Sequence, residues 1–299
     1  MSYDRSDQAY GRSQPETRRR GNFSGLKLRL LIGAAIILFS VVSFYGKGQP
    51  NPITGENQRV AMAVAEEVRL GQESVPQMGI RSRNRIASAH VEQIGNELVN
   101  AFIRQLEKSN KRDNKRIQNP FDFRFHLLAD SRTVNAFALP GGQVFITEAL
   151  YRALSTDGQS ALDGRLAGVL GHEIGHVIER HGSERMAKGN LMRGFVQAAA
   201  VAGGDSGSSQ IAAYVGNIVN MKFGRGDELE SDKWGVELMI LTGYNPEHLK
   251  SVMDVLEATS GTGGPPAFMS THPRPADRRT YIEDIIAEKF PDGIPDGLR

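Results

Sequence analysis

The stretch Gly171-His-Glu-Ile-Gly-His176 constrains this chain more than any other. His172 and His176 stand four apart, and Glu173 directly follows the first. On a helix of about 3.6 residues per turn, positions four apart share one face. Two imidazoles so placed can hold one metal ion, with the adjoining carboxylate in reach of a water activated there. The flanking pattern predicts a helix. Leu162, Leu166, Val169 and Leu170 make an apolar stripe that Val177 and Ile178 continue, and Ser160 with Asp163 forms an N-terminal capping pair. The bland alternative is a chance match on a core helix, expected in on the order of one chain of this length in a hundred.

Length and charge narrow the class. The chain has 299 residues, 39% of them hydrophobic, enough for one large domain or two small ones. A formal net charge of +2 gives no argument for nucleic acid. There is no cysteine, which excludes a disulfide, a thiolate metal site, a lipidated cysteine and a cysteine nucleophile.

Residues 1–25 are polar and rich in arginine, and read as a disordered cytoplasmic tail. Leu30 to Gly46 carries no charge and is flanked by Lys27, Arg29 and Lys47. A transmembrane signal anchor over 26–46 is expected, because flanking cations lengthen a short span by snorkelling. A cleaved signal peptide is the rival, but Ser-Phe-Tyr-Gly offers no small-x-small cleavage site. Seven basic residues precede the span and only Lys47 follows closely. The positive-inside rule then predicts a single-pass membrane protein with a cytoplasmic N-terminus and an extracytoplasmic remainder, as in a bacterial inner membrane facing the periplasm. Asp4, Asp7 and Glu16 count against a mitochondrial presequence.

A turn-rich linker is expected over 47–56, a folded domain over 57–290 and a short tail over 291–299. Helices are predicted near 57–72 and 88–108. Phe121, Phe123, Phe125 and Leu127 alternate as one buried strand face, and a second strand follows at Gln143 to Ile146. A short helix near 147–154 leads to the motif helix. Beyond it, the apolar pieces near 194–203 and 211–221 are too short to span a bilayer, and read as surface helices or a flap. Further helices are predicted from Asp227 to Gly243, near 246–259 and near 276–289.

A catalytic metal site needs a third protein ligand and one open position. His181 lies five residues beyond His176, about 140° further round a continuous helix, so it points elsewhere and reads as structural or exposed. His90, His126 and His248 have no metal-like context. The richest acidic cluster is Asp227-Glu-Leu-Glu-Ser-Asp232, in which Glu228 and Asp232 share a face. One can ligate while the other orients a ligating histidine. A solvated acidic helix start is the alternative.

Three separated pieces resemble metallopeptidase family forty-eight, which groups the HtpX, CaaX prenyl endopeptidase and BepA-type zinc proteases. They are Asn135-Ala-Phe-Ala-Leu-Pro-Gly-Gly-Gln-Val-Phe145, His172 through His181, and Arg225-Gly-Asp-Glu-Leu-Glu-Ser-Asp232 followed by Gly235. Ser231 stands where the family usually has Ala, and Gly224 where it has Ser. The resemblance covers roughly residues 57–282. Its single span makes the chain similar to the branch with a soluble catalytic domain.

That resemblance implies an α+β, mostly helical, zincin-like (gluzincin) domain with a small sheet beside the motif helix, preceded by one transmembrane helix. It implies one Zn²⁺ per chain held by His172, His176 and Glu228, with Asp232 behind them and Glu173 as catalytic base. It also implies that Gln143, Val144, Phe145 and Ile146 form the edge strand on which a protein or peptide substrate pairs. His272, in Thr271-His-Pro-Arg-Pro, resembles a late histidine that approaches the metal as a gate or a transition-state donor. The expected function is membrane-anchored hydrolysis of unfolded or misassembled proteins in envelope quality control. The alternative is a chaperone-like or scaffold member that cleaves little.

Overall fold

The computed structural model describes residues 23–46, 48–203, 223–259, 266–273 and 278–299. Helix α1 (Phe23–Tyr45) leads into a two-stranded antiparallel pair, β1 (Gly48–Pro50) and β2 (Asn57–Arg59). Then come α2 (Val64–Ser74), α3 (Arg85–Asp113), β3 (Arg124–Leu128), β4 (Ala136–Ala138) and β5 (Gln143–Thr147). The helices that follow are α4 (Glu148–Leu154), α5 (Gln159–Ile178), α6 (His181–Gly203), α7 (Arg225–Thr242), α8 (Glu247–Ala258), α9 (Ala267–Thr271) and α10 (Arg278–Lys289). The result is the expected mostly helical α+β architecture, with a small sheet beside the motif helix.

Helix α5 is the axis of the fold. From Leu162 onward nearly every side chain is buried, because α3, α7, α8 and the sheet enclose it on all sides. Its glycines decide how close the neighbours come. Gly164, Gly168, Gly171 and Gly175 recur at four- and three-residue spacing and so line one face. A methyl group at Gly175 would meet Ser231 Cα at 2.9 Å, and one at Gly171 would meet Gly235 Cα at 3.2 Å. The absence of side chains there lets α7 lie backbone to backbone against the motif, with Glu228, Ser231, Asp232 and Gly235 facing it. The helix is capped by Gly158, whose φ of 91° suits glycine, so Ser160 and Asp163 lie inside the helix and do not cap it.

The sheet has the order β3-β5-β4, with β3 parallel and β4 antiparallel to β5. Gln143 through Thr147 are all buried. The β4–β5 turn uses Gly141 at φ 85°, where a side chain would strike the backbone of Val68 in α2.

Two N-terminal expectations need correction. The helix predicted near 57–72 begins only at Val64, because 57–59 pair as β2. The stretch read as a linker is docked: Asn51 is buried and donates to Ile178 O at 2.8 Å, and Gln58 donates to Glu179 O. These amides satisfy carbonyls that the end of α5 leaves open.

Helix α1 contains a 21-residue stretch, Gly25–Tyr45, with a mean hydropathy of 2.1 and 6% of it buried. It is long and apolar enough to cross a membrane. The side that is covered packs along α6, where Gly33 and Gly194 permit close approach to Ala198 and Ser40. Residues 194–203 are therefore the end of a 23-residue helix and not a separate short piece. Residues 211–221 lie outside the described residues.

Candidate metal centre

His172 and His176 leave the same face of α5, and their Nε2 atoms lie 3.1 Å apart. Glu228 of α7 comes opposite, with its carboxylate oxygens 3.7 Å from His172 Nε2 and 3.5 Å from His176 Nε2. His272, just past α9, adds Nδ1 at 3.3 Å from His172 Nε2, 3.2 Å from His176 Nε2 and 3.2 Å from Glu228 Oε1. All four side chains are buried. Donors about 2.0–2.1 Å from a tetrahedral zinc ion stand about 3.4 Å from one another. The separations, from 3.1 to 3.7 Å, are close to the edges of that tetrahedron, with Glu228 turning Oε1 to His176 and His272 and Oε2 to His172. Three histidines and a carboxylate, packed this closely, fit a divalent metal of the zinc type.

Three of the four donors are held from behind. His172 Nδ1 lies 2.9 Å from Asp232 Oδ1, so with Nε2 turned to the ring the Nδ1–H donates to the carboxylate. Arg278, from α10, donates to both oxygens of Asp232 and, at 2.7 Å, to Glu228 Oε2. Burial opposes ionisation of both carboxyls. For Asp232 the Arg278 charge overcomes it, and for Glu228 the hydrogen bonds from His176 and His272 do, so both lie below the usual carboxylate range. On the other side, His176 Nδ1 meets His181 Nδ1 at 2.9 Å, and His181 Nε2 meets Glu230 Oε2 at 2.9 Å. With His176 Nε2 in the ring, one proton pattern satisfies the chain: His176 donates to His181, which donates to Glu230.

Glu173 points into the same cavity, fully buried, and neither oxygen has a hydrogen-bond partner among the described residues. Burial raises its pKa. Its nearest ionisable neighbour is His272, whose Nε2 lies 3.5 Å from Oε1. Phe223 stacks on His176 at 4.0 Å between ring centres, and Phe268 stacks on His272 at 4.4 Å, which closes the site to water.

The structure therefore joins His172, His176, Glu228 and His272 in one ring, with Asp232 behind it and Glu173 beside it. It corrects two expectations. His181 does not point elsewhere: α5 ends at Ile178, Arg180 takes a left-handed φ of 56°, and α6 restarts at His181, which folds the ring back onto His176. Gln143, Val144, Phe145 and Ile146 do not form an edge, because β5 is the central strand and β3 and β4 occupy both its sides. The strand beside the motif helix that pairs on one side only, among the described residues, is β4. Arg278, His181 and Glu230 were missed as site residues. The trailing histidine of the motif was a usable signal, whereas Arg278, one arginine among many, offered none.

Comparison with known proteins agrees with this geometry. The chain is 34% identical over 165 residues to the mitochondrial metalloendopeptidase OMA1 of Schizosaccharomyces pombe, covering 54% of this chain and 46% of that protein. It is 24% identical over 267 residues to the beta-barrel assembly-enhancing protease of Escherichia coli K12, covering 83% and 49%. Metalloprotease LoiP of the same bacterium is 29% identical over 178 residues, covering 58% and 65%. The chain spans about half the length of the first two relatives. The model of peptidase family M48 matches residues 91–286, a stretch that holds the whole donor ring and the arginine behind it, and the chain belongs to that family.

Proposed function

We propose that this chain is a membrane-anchored zinc endopeptidase, held at rest by His272, that cleaves unfolded or misassembled proteins outside the cytoplasm. The observation that carries the reading is the ring of four donors at tetrahedral spacing with an unpartnered Glu173 beside it. Zinc, when bound, polarises a peptide carbonyl and lowers the pKa of water. Glu173 takes the proton of the attacking water and passes it to the leaving amine, a task suited to a carboxyl whose pKa burial has raised. The outer edge of β4 (Ala136–Ala138), which no strand among the described residues pairs, takes an extended substrate through backbone bonds, which tolerates many sequences.

Four protein donors leave no open position, and a catalytic zinc needs one. His272 is the donor that must leave. It follows a five-residue helix as its C-cap, whereas the other three donors stand on the long, packed α5 and α7. Its departure frees a ligand position and uncovers Glu173 in one movement. The exposed apolar surface of α1 supports the anchor, with Leu31 69% and Phe39 75% exposed. The name of one relative, a beta-barrel assembly-enhancing protease, supports a role in envelope protein quality control, and that of another, a mitochondrial metalloendopeptidase, supports endopeptidase activity.

The closed ring also favours a second reading, a chaperone-like or scaffold member in which the metal is structural. The two separate on the full-length protein as wild type, Glu173→Gln and His272→Ala. Bound zinc and cleavage of an unfolded protein are measured for each. The protease reading expects zinc in all three, slow cleavage by the wild type, faster cleavage by His272→Ala and none by Glu173→Gln. Zinc in all three with no cleavage by any supports the scaffold. No zinc in the wild type sinks both.

A further inference from the structure

Helices α1 and α6 line a cleft of about 650 Å³ that includes none of the metal-ring residues. Its two walls differ in chemistry. Leu31, Ala35 and Phe39 make the α1 wall mostly apolar, with Ser40 and Ser43 towards its end. The other wall carries Asn190, Arg193 and Gln197 among small and apolar residues; these three are spaced three and four apart and so share one face of α6. Arg193 donates one bond, from Nη2 to Asn190 Oδ1 at 3.0 Å. Its Nε is buried and has no hydrogen-bond partner among the described residues.

The depth of that guanidinium matters. Gly194 packs against Ser40 of α1, which places Arg193 beside the last third of the apolar helix. Gly46, where the uncharged run ends, is six residues beyond Ser40, or about 9 Å at 1.5 Å per residue. Half a bilayer's hydrocarbon core is about 15 Å. On the reading of α1 as a membrane span, Arg193 lies below the bilayer surface, where an unpaired cation is costly unless it reaches an anion. The flexible arginine stem reaches the phosphate layer from that depth. A mostly apolar wall facing a polar stripe with one cation at its centre suits a molecule with one acyl side and one phosphate, and a purely apolar partner helix would leave the Arg193 charge without an anion.

We propose that the cleft between α1 and α6 binds one anionic phospholipid, whose phosphate accepts from Arg193 and whose acyl chain lies along Leu31, Ala35 and Phe39. The inference rests on the membrane reading of α1. It is tested with full-length, delipidated protein in detergent, titrated with phosphatidylglycerol and observed by native mass spectrometry. Diacylglycerol supplies the chains without phosphate, and glycerol 3-phosphate supplies the phosphate without chains. The variants are Arg193→Gln, Arg193→Lys and Ala35→Trp, the last filling the cleft from the opposite wall, each checked for wild-type helix content and melting.

The expected result is one retained phosphatidylglycerol per wild-type chain, with affinity about tenfold lower in Arg193→Gln and Ala35→Trp and largely restored in Arg193→Lys. Neither diacylglycerol nor glycerol 3-phosphate should compete. Equal retention by wild type and both cleft-disrupting variants overturns the site. So does displacement by glycerol 3-phosphate, which would mark a simple anion pocket, or equal binding of diacylglycerol. Alkaline carbonate extraction of the expressed chain separates the two readings. A chain released by carbonate overturns the anchor and the lipid site together, whereas a carbonate-resistant chain with equal retention overturns the lipid site alone.

Discussion

The guanidinium of Arg278 straddles the carboxylate of Asp232, with Nε donating to Oδ2 at 2.7 Å and Nη2 to Oδ1 at 2.6 Å. Asp232 also receives the Nδ1 proton of His172, so one buried carboxylate joins α10 to the motif helix. Replacement by lysine keeps the charge and loses the fork. Arg278→Lys should therefore weaken metal binding by about 10–100-fold, the usual effect of disturbing the partners behind a ligand. Arg278→Ala leaves two buried carboxylates without their shared guanidinium and should cost about 3–5 kcal/mol. Chelator competition and thermal melting check these values, and unchanged metal affinity in both variants would refute the role.

His181→Ala should also weaken the metal by about 10–100-fold, because His176 loses the acceptor that fixes its ring. Glu230 is half-exposed, and Glu230→Gln, which still accepts a bond from His181, should have a smaller effect. Equal losses in the two variants would place the control in Glu230 and not in the histidine ring.

Gly175→Ala tests the close approach of α7. The added methyl group would lie 2.9 Å from Ser231 Cα and from Trp234 Cβ, so backbone must move. A destabilisation of about 1–3 kcal/mol is expected. Glu228 moves with α7, so metal affinity should fall as well. Gly226→Ala, on the same helix with no atom within 4 Å of the added carbon, is the matched control and should change neither.

Acid should loosen the far end of the domain. Burial alone would raise the pKa of Glu97, but hydrogen bonds from Tyr244 and Gln93 and the charge of Arg299 bring it below its ordinary 4.5. A depressed carboxyl contributes stability that is present above the unfolded pKa and is lost as pH falls through the folded one. Melting temperature should therefore be insensitive to Glu97→Gln in its pH slope near neutrality, and the variant should show a shallower fall than wild type below about pH 4.5. Parallel slopes down to pH 3 would refute the linkage. Tyr244→Phe should cost about 1 kcal/mol at neutral pH.

Much of the site was legible in the chain, for reasons of period. His172, Glu173 and His176 lie on one helix, and Glu228 and Asp232 on another, so local geometry placed each set. The glycines at 164, 168, 171 and 175 were visible too, but their meaning depends on α7 lying against them. His181 was misread because the 140° argument assumes an unbroken helix, and a single left-handed residue at Arg180 breaks it. The strand at Gln143–Ile146 was found, but whether a strand is central or at an edge depends on which others pair with it. Asn51 and Gln58 gave no local hint of their partners, which lie 127 and 121 residues away.

The fork of Arg278 has a consequence for the order of events at the ribosome. His172 and Glu173 are translated 100 residues before His272, and Arg278 comes later still. Until α10 emerges, Asp232 and Glu228 lack the guanidinium that joins them. On the proposed function, the residue that holds the centre at rest and the arginine that braces it therefore leave the ribosome within one short segment, after every other donor has been made.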